Sequence, residues 1–151
     1  MRSLYIMIVM LILTGCSNCQ SNDDTYCFDS AGESYGIDSD LLKAISYVES
    51  RHEQNALHVN KNGSLDYGHM QINSLWVAEL GQTYTALNDP CYCTKVAAWI
   101  LADCIDRYGY NSDAISCYNS GRPLYRLTGE TRKNVKTYVK RVEKRFKELR
   151  N

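Results

Sequence analysis

Apolar positions along this chain repeat with helical rather than strand spacing. Leu41, Leu42, Ile45 and Val48 recur at intervals of three and four, and Asp38 stands before them as an N-cap. A shorter helix is expected over residues 26–36 (YCFDSAGESYG), stopping at Gly36. The run NKNGSLDYG, residues 60–68, is rich in turn formers and cannot extend a helix. Helical spacing then resumes in HMQINSLWVAEL through Met70, Ile72, Leu75, Trp76 and Leu80, ending near Gly81. Thr83 to Asn88 reads as connecting chain, and Asp89-Pro90 opens a helix with an inward face of Ala97, Ile100, Leu101 and Cys104 that ends near Gly109. Trp99 is assigned to the core, with sugar stacking as the alternative. Asn111 or Ser112 caps another short helix that buries Ile115 and Cys117 and reaches Gly121. A last helix from Gly129 to Leu149 carries the stripe Val135, Val139, Val142, Phe146 and Leu149. The pattern predicts a mainly α domain, with a short β-hairpin or turn around residue 66.

One segment does not belong to that domain. Residues 1–15 combine Arg2 with an apolar run, Leu4 to Leu13, that is too short for a mature transmembrane helix, and they read as an export signal. Leu13-Thr14-Gly15-Cys16 fits a lipobox, with Cys16 as the lipidated residue; ordinary signal cleavage is the alternative. The expected organisation is therefore a signal at 1–15 and a single domain over 16–151, located in the periplasm and anchored to a membrane if Cys16 is lipidated. Seven cysteines agree with an oxidising compartment. Without Cys16, six remain, enough for three bridges among fifteen connectivities. Cys104 and Cys117 lie on successive helices and could face each other.

The 17 basic and 17 acidic residues cancel, so no general attraction to nucleic acid follows. The charge is uneven, because nine of the basic residues lie between Arg132 and Arg150, with three acids, Glu130, Glu143 and Glu148, in the same region. Such a face is most often merely solvated; an acidic partner, the wall or a membrane surface is the alternative. No metal site or cofactor is indicated. His52-Glu53 lacks the second histidine of a zinc motif, and His58-x-Asn60-x-Asn62-Gly63 lacks the first and last ligands of a calcium loop.

The chemistry centres on two carboxylates. Glu49 follows Ile45 by four residues, on or beside the apolar stripe, where desolvation raises a carboxyl pKa and suits a general acid; on helix position alone, a glutamate at the edge of the stripe reaching water or capping a buried polar group is the commoner reading. Asp66 sits in the polar turn, in a wetter place. Two carboxylates in contrasting environments form the arrangement glycosidases use. At residues 116–121 (SCYNSG), the Tyr118 hydroxyl is suited to orienting a carboxyl group and Asn119 to binding a sugar or its N-acetyl group; a buried tyrosine followed by an asparagine at the helix stop is the alternative. Gln71 either binds an acetamido group or caps a turn. The histidines read as loop or cleft-wall residues, with His69 placed to influence the pH dependence.

Val48-Glu49-Ser50, the stretch YGHMQIN from Tyr67 to Asn73, and SCYNSG resemble the ES, GLMQ and AYN motifs of small specialised lytic transglycosylases in the lysozyme-like superfamily. NGSLDYGHMQINSLW also resembles the active-site turn of animal c-type lysozymes. The resemblance covers roughly residues 26–145 and implies an α+β lysozyme-like fold with a cleft. It implies Glu49 as catalytic acid and base, and Ser50, Tyr67, Met70, Gln71, Tyr118 and Asn119 as substrate-binding residues. Most of the transglycosylase family has no second catalytic carboxylate, so Asp66, taken here as a catalytic charge stabiliser, has the lysozyme nucleophile and a brace of the turn as its alternatives. It further implies a Cys27–Cys91 bridge, peptidoglycan strands as substrate, a monomer, and a secretion, pilus or conjugation apparatus as partner. A hydrolytic lysozyme and a non-catalytic wall-binding assembly factor remain alternatives.

Overall fold

The computed structural model describes residues 23–151. The expected signal segment, Cys16 and Cys19 lie outside the described residues. The chain begins with two short helices, α1 (Asp23–Tyr26) and α2 (Phe28–Tyr35), the latter closed by Gly36 at φ 65°. Helix α3 (Ser39–Ser50) starts where the Asp38 carboxylate accepts from the Asp40 amide at 3.0 Å. Helix α5 (Pro90–Tyr108) is capped by Asp89, which accepts from the Tyr92 amide, and has Pro90 in its first turn, where no amide donor is needed. Asn111 caps α6 (Ser112–Ser120), and Gly121 ends it. The last helix, α7 (Gly129–Leu149), packs against α3 and α6, while α5 packs against α2 and α6. Their shared core holds Leu42, Ile45, Met70, Ile72, Leu87, Leu101 and Val142. No helix among the described residues is long and apolar enough to cross a membrane.

The helical spacing read after residue 68 is corrected by the structure. Strands β1 (Leu57–Val59), β2 (Leu65–Tyr67) and β3 (Ile72–Asn73) form one antiparallel sheet in that order. Asp66 pairs with His58 on one side and Asn73 on the other. Left-handed residues at Gly68 (φ 75°) and Gln71 (φ 52°) reverse the chain between β2 and β3, so a helix cannot run through Met70 and Ile72. Helix resumes only as a 3-10 turn over Ser74–Trp76 and one turn of α4 (Val77–Leu80). Leu75, assigned to the apolar face, is consequently 77 % exposed. Gly81–Asn88 forms 3-10 helix rather than irregular connection. Trp99 is 37 % exposed rather than core, and it packs edge-to-face on Trp76.

Two disulfides close the described fold, Cys27–Cys91 and Cys104–Cys117. Of the other cysteines available for a bridge, Cys93 is a free thiol with no exposed surface. It points inward from α5 against Gly68. A Cβ added at Gly68 would sit 2.7 Å from the Cys93 Sγ and 3.0 Å from the Leu87 carbonyl oxygen. Burial pushes the thiol pKa up to about 12.

Candidate active site

Glu49 lies in the last turn of α3, against α7. The Tyr138 hydroxyl, carried by α7, donates to its Oε1 at 2.6 Å. Burial raises the Glu49 pKa to about 7; the Tyr138 hydrogen bond opposes that rise, the Asp66 charge adds to it, and the Arg141 charge opposes it. Desolvation therefore outweighs the hydrogen bond, leaving a carboxyl group divided between protonated and ionised forms at neutral pH. Tyr138 itself is held well above the usual tyrosine range by burial and by the adjacent Glu49, so it remains a donor.

Asp66 is fastened differently. Its two oxygens accept from the side-chain amides of Asn60, at 2.8 Å, and Asn73, at 2.6 Å. Both asparagines are fixed in turn. Asn60 closes the β1–β2 turn through the Ser64 carbonyl, and the Asn73 Oδ1 accepts from the Leu75 amide. The sheet thus holds a carboxylate beside the helical lobe, at half-buried Asp66, with its charge felt at Glu49.

The turn between β2 and β3 is held by a buried polar chain. His69 has no exposed surface. Its Nε2 lies 3.1 Å from the Pro90 carbonyl, which can only accept, so Nε2 carries the proton. Nδ1 is then bare and accepts from the Ser46 hydroxyl at 2.8 Å; the Ser46 oxygen in turn accepts from His52 Nδ1, also at 2.8 Å. Burial lowers the His69 pKa to about 4, which keeps the ring neutral. His69 is therefore a core residue and not a cleft wall. Its apolar surroundings, Tyr26 and Phe28, meet it edge-on, and the polar chain supplies the hydrogen bonds that burial requires.

The remaining expected site residues divide by what their side chains touch. Ser50 donates to the His69 carbonyl at 2.9 Å and so ties α3 to the turn. The Tyr118 hydroxyl donates to the Met70 carbonyl at 2.9 Å and not to Glu49, which corrects the orienting role read for it; Tyr138 occupies that place. Met70 is fully buried, so its side chain supports the turn from beneath and offers no surface to a substrate. The Gln71 amide donates to the Gly68 and Ala56 carbonyls, as a turn brace does. Tyr67 is half-buried against the core, and Asn119 is exposed near the end of α6.

Tyr138 is the residue the sequence reading missed. A tyrosine stands three residues after Val135 and four before Val142, within the buried stripe of α7, where its hydroxyl needs a partner. That signal was present, but sequence does not tell which element lies opposite. An apolar pocket of about 240 Å³ among Leu41, Leu101, Ile105, Ile115 and Phe146 contains none of the expected site residues.

A model of the transglycosylase SLT domain matches residues 26–142, a span that includes Glu49, Asp66, Tyr118 and Tyr138. The chain belongs to the SLT transglycosylase family. Its α+β architecture is the lysozyme-like fold of that family. Among relatives, this SLT domain protein is 43% identical to Protein IpgF of Shigella flexneri over 99 residues, 63% of this chain and 65% of IpgF. It is 31% identical to the Invasion protein IagB of Salmonella typhimurium (strain SL1344) over 151 residues, 97% of this chain and 88% of IagB. It is 37% identical to an X polypeptide of Escherichia coli over 107 residues, 68% of this chain and 62% of that protein. The chain therefore spans just under two thirds of the length of IpgF.

Proposed function

We propose that this protein is a lytic transglycosylase that cleaves the β-1,4 bond between N-acetylmuramic acid and N-acetylglucosamine in peptidoglycan, with Glu49 as acid and then base. The observation that carries this reading is Glu49 itself, a buried carboxyl group with a pKa raised to about 7 and one oxygen held by Tyr138. In the first step the protonated form gives its proton to the glycosidic oxygen as the bond to C1 breaks. Positive charge develops at the muramic acid C1, with the substrate's acetamido group assisting. The ionised Glu49 then takes the proton from the muramic acid 6-hydroxyl, whose oxygen closes on C1. The product is a 1,6-anhydro ring, no water is consumed, and Glu49 regains its proton.

Asp66 acts in this scheme as a charge stabiliser. Both of its oxygens are already engaged by fixed amides, which suits a stationary negative charge better than a nucleophile that must move onto C1. The family match supports peptidoglycan as substrate and the periplasm as location. Local opening of the wall for a secretion, pilus or conjugation apparatus is the biological role we assign, supported by the likeness to a protein named for invasion.

The test is mass spectrometry of muropeptides released from purified peptidoglycan. Anhydro ends, one water lighter than reducing ends, are expected. Reducing ends would make the protein a hydrolytic lysozyme with Asp66 as partner in the displacement, and no release at all would favour a wall-binding assembly factor. Glu49→Gln is expected to lower the rate by roughly 10²–10⁴-fold. Asp66→Asn is expected to cost less, on the order of a hundredfold or below. Retained activity in Glu49→Gln defeats the assignment.

A further inference from the structure

We propose that the lysine face of α7 is a docking surface for an anionic phospholipid membrane. Successive helical residues turn by about 100°, so Lys133, Lys136, Lys140, Lys144 and Lys147 share an arc of about 80° on α7. All five are exposed, and they run for about 21 Å along the helix. Lys133 and Lys144 have only long, solvent-exposed ion pairs, to Glu130 at 3.9 Å and Glu148 at 3.8 Å. Lys136, Lys140 and Lys147 have no ion pair among the described residues.

The charge is segregated at the scale of the chain. Nine basic residues face three acids between residues 130 and 150, so the remainder carries eight basic residues against fourteen acids. A face this one-sided on a protein of zero net charge is matched by a flat anionic surface, where each lysine near the headgroups adds attraction.

Direction chooses the membrane over the wall. The centre of the lysine arc lies roughly 160° around α7 from Tyr138, the residue that faces Glu49. This face of α7 is turned away from Glu49, so glycan held at Glu49 leaves it free to meet a membrane. That step rests on the transglycosylase reading; the charge segregation does not.

The test uses the full chain and its triple variant Lys136→Gln/Lys140→Gln/Lys144→Gln, sedimented with vesicles of phosphatidylcholine alone or with a third phosphatidylglycerol, at low and physiological salt. Binding of the parent to anionic vesicles is expected to weaken with salt and to fall on the order of a hundredfold in the variant. Unchanged melting and unchanged cleavage of soluble glycan are expected alongside. Equal binding by parent and variant overturns the proposal. So does equal binding of the parent to neutral vesicles, which would assign the attraction to the apolar N-terminal segment. A variant that loses binding to purified sacculi but not to vesicles makes the wall the partner and also overturns it. If the parent cleaves no glycan, the transglycosylase reading fails while the vesicle comparison still decides whether the face binds membrane.

Discussion

At the scale of the residue, Glu49 and His69 hold displaced pKa values with opposite consequences for stability. Folding raises the Glu49 pKa from 4.5 to about 7, so between those values the native state binds more protons than the unfolded chain and stability falls as pH rises. Glu49→Gln should therefore stabilise the protein by roughly 3 kcal/mol above pH 7 and by nothing below pH 4.5, which urea midpoints at pH 4 and 8 would show. Folding lowers the His69 pKa from 6.5 to about 4. Its contribution is complete above 6.5 and is lost as pH falls towards 4, because the unfolded chain takes up the proton first. The two slopes oppose each other between pH 4.5 and 6.5. Removing the Glu49 slope by Glu49→Gln should expose a steeper acid loss, on the order of 3 kcal/mol, and His69→Leu in that background should flatten it. The same pair separates in kinetics. With Glu49 as the proposed acid, activity is expected to be lost as pH rises through about 7. Tyr138→Phe removes a hydrogen bond to the ionised form, so this limb should move up by about one pH unit while the rate falls. His69→Leu should leave the limb in place, since the ring is sealed in the core.

At the scale of the element, the turn from Gly68 to Gln71 decides where the sheet meets the helices. It is held by the His69 chain, by Ser50 and by the Tyr118 hydroxyl on the Met70 carbonyl. Gly68→Ala would force a Cβ against the Cys93 sulfur and the Leu87 carbonyl at a left-handed φ of 75°. A loss of at least about 2 kcal/mol is expected, with lower activity from the shifted Asp66 strand, and Cys93→Ala should restore only part of it because the Leu87 backbone stays in place. This element was also the least legible in the sequence. The long helices declared themselves through caps at Asp38, Asp89 and Asn111 and through stripes of several turns. Glu49 was found because its helix was. Strands of two and three residues show too few alternations to compete with an overlapping helical pattern, so Met70 and Ile72 were read on the wrong period. Tyr138 and the partners of His69 were hidden for another reason: each meets its neighbour across a long stretch of chain, and spacing along the sequence carries no information about that.

At the scale of the molecule, the two disulfides close loops of very different length. Cys27–Cys91 spans 64 residues and joins the N-terminal helices to the start of α5; Cys104–Cys117 spans 13 and staples α5 to α6. Chain entropy predicts stabilisation of about 4 kcal/mol from the first and about 3 kcal/mol from the second. Serine pairs at the first two positions should therefore lower the urea midpoint more than serine pairs at the second, and the reverse order would show that local packing outweighs loop closure here.

The hydrogen bond between Glu49 and Tyr138 joins residues 89 positions apart. A ribosome delivers this chain from its N-terminus, so Glu49 and Asp66 emerge well before Tyr138 on α7. During that interval Glu49 lacks the hydroxyl that orients it and the helix that buries it. The surroundings of Glu49 are completed only when α7 arrives, and a chain broken off before residue 138 carries the motifs of the candidate site without that geometry.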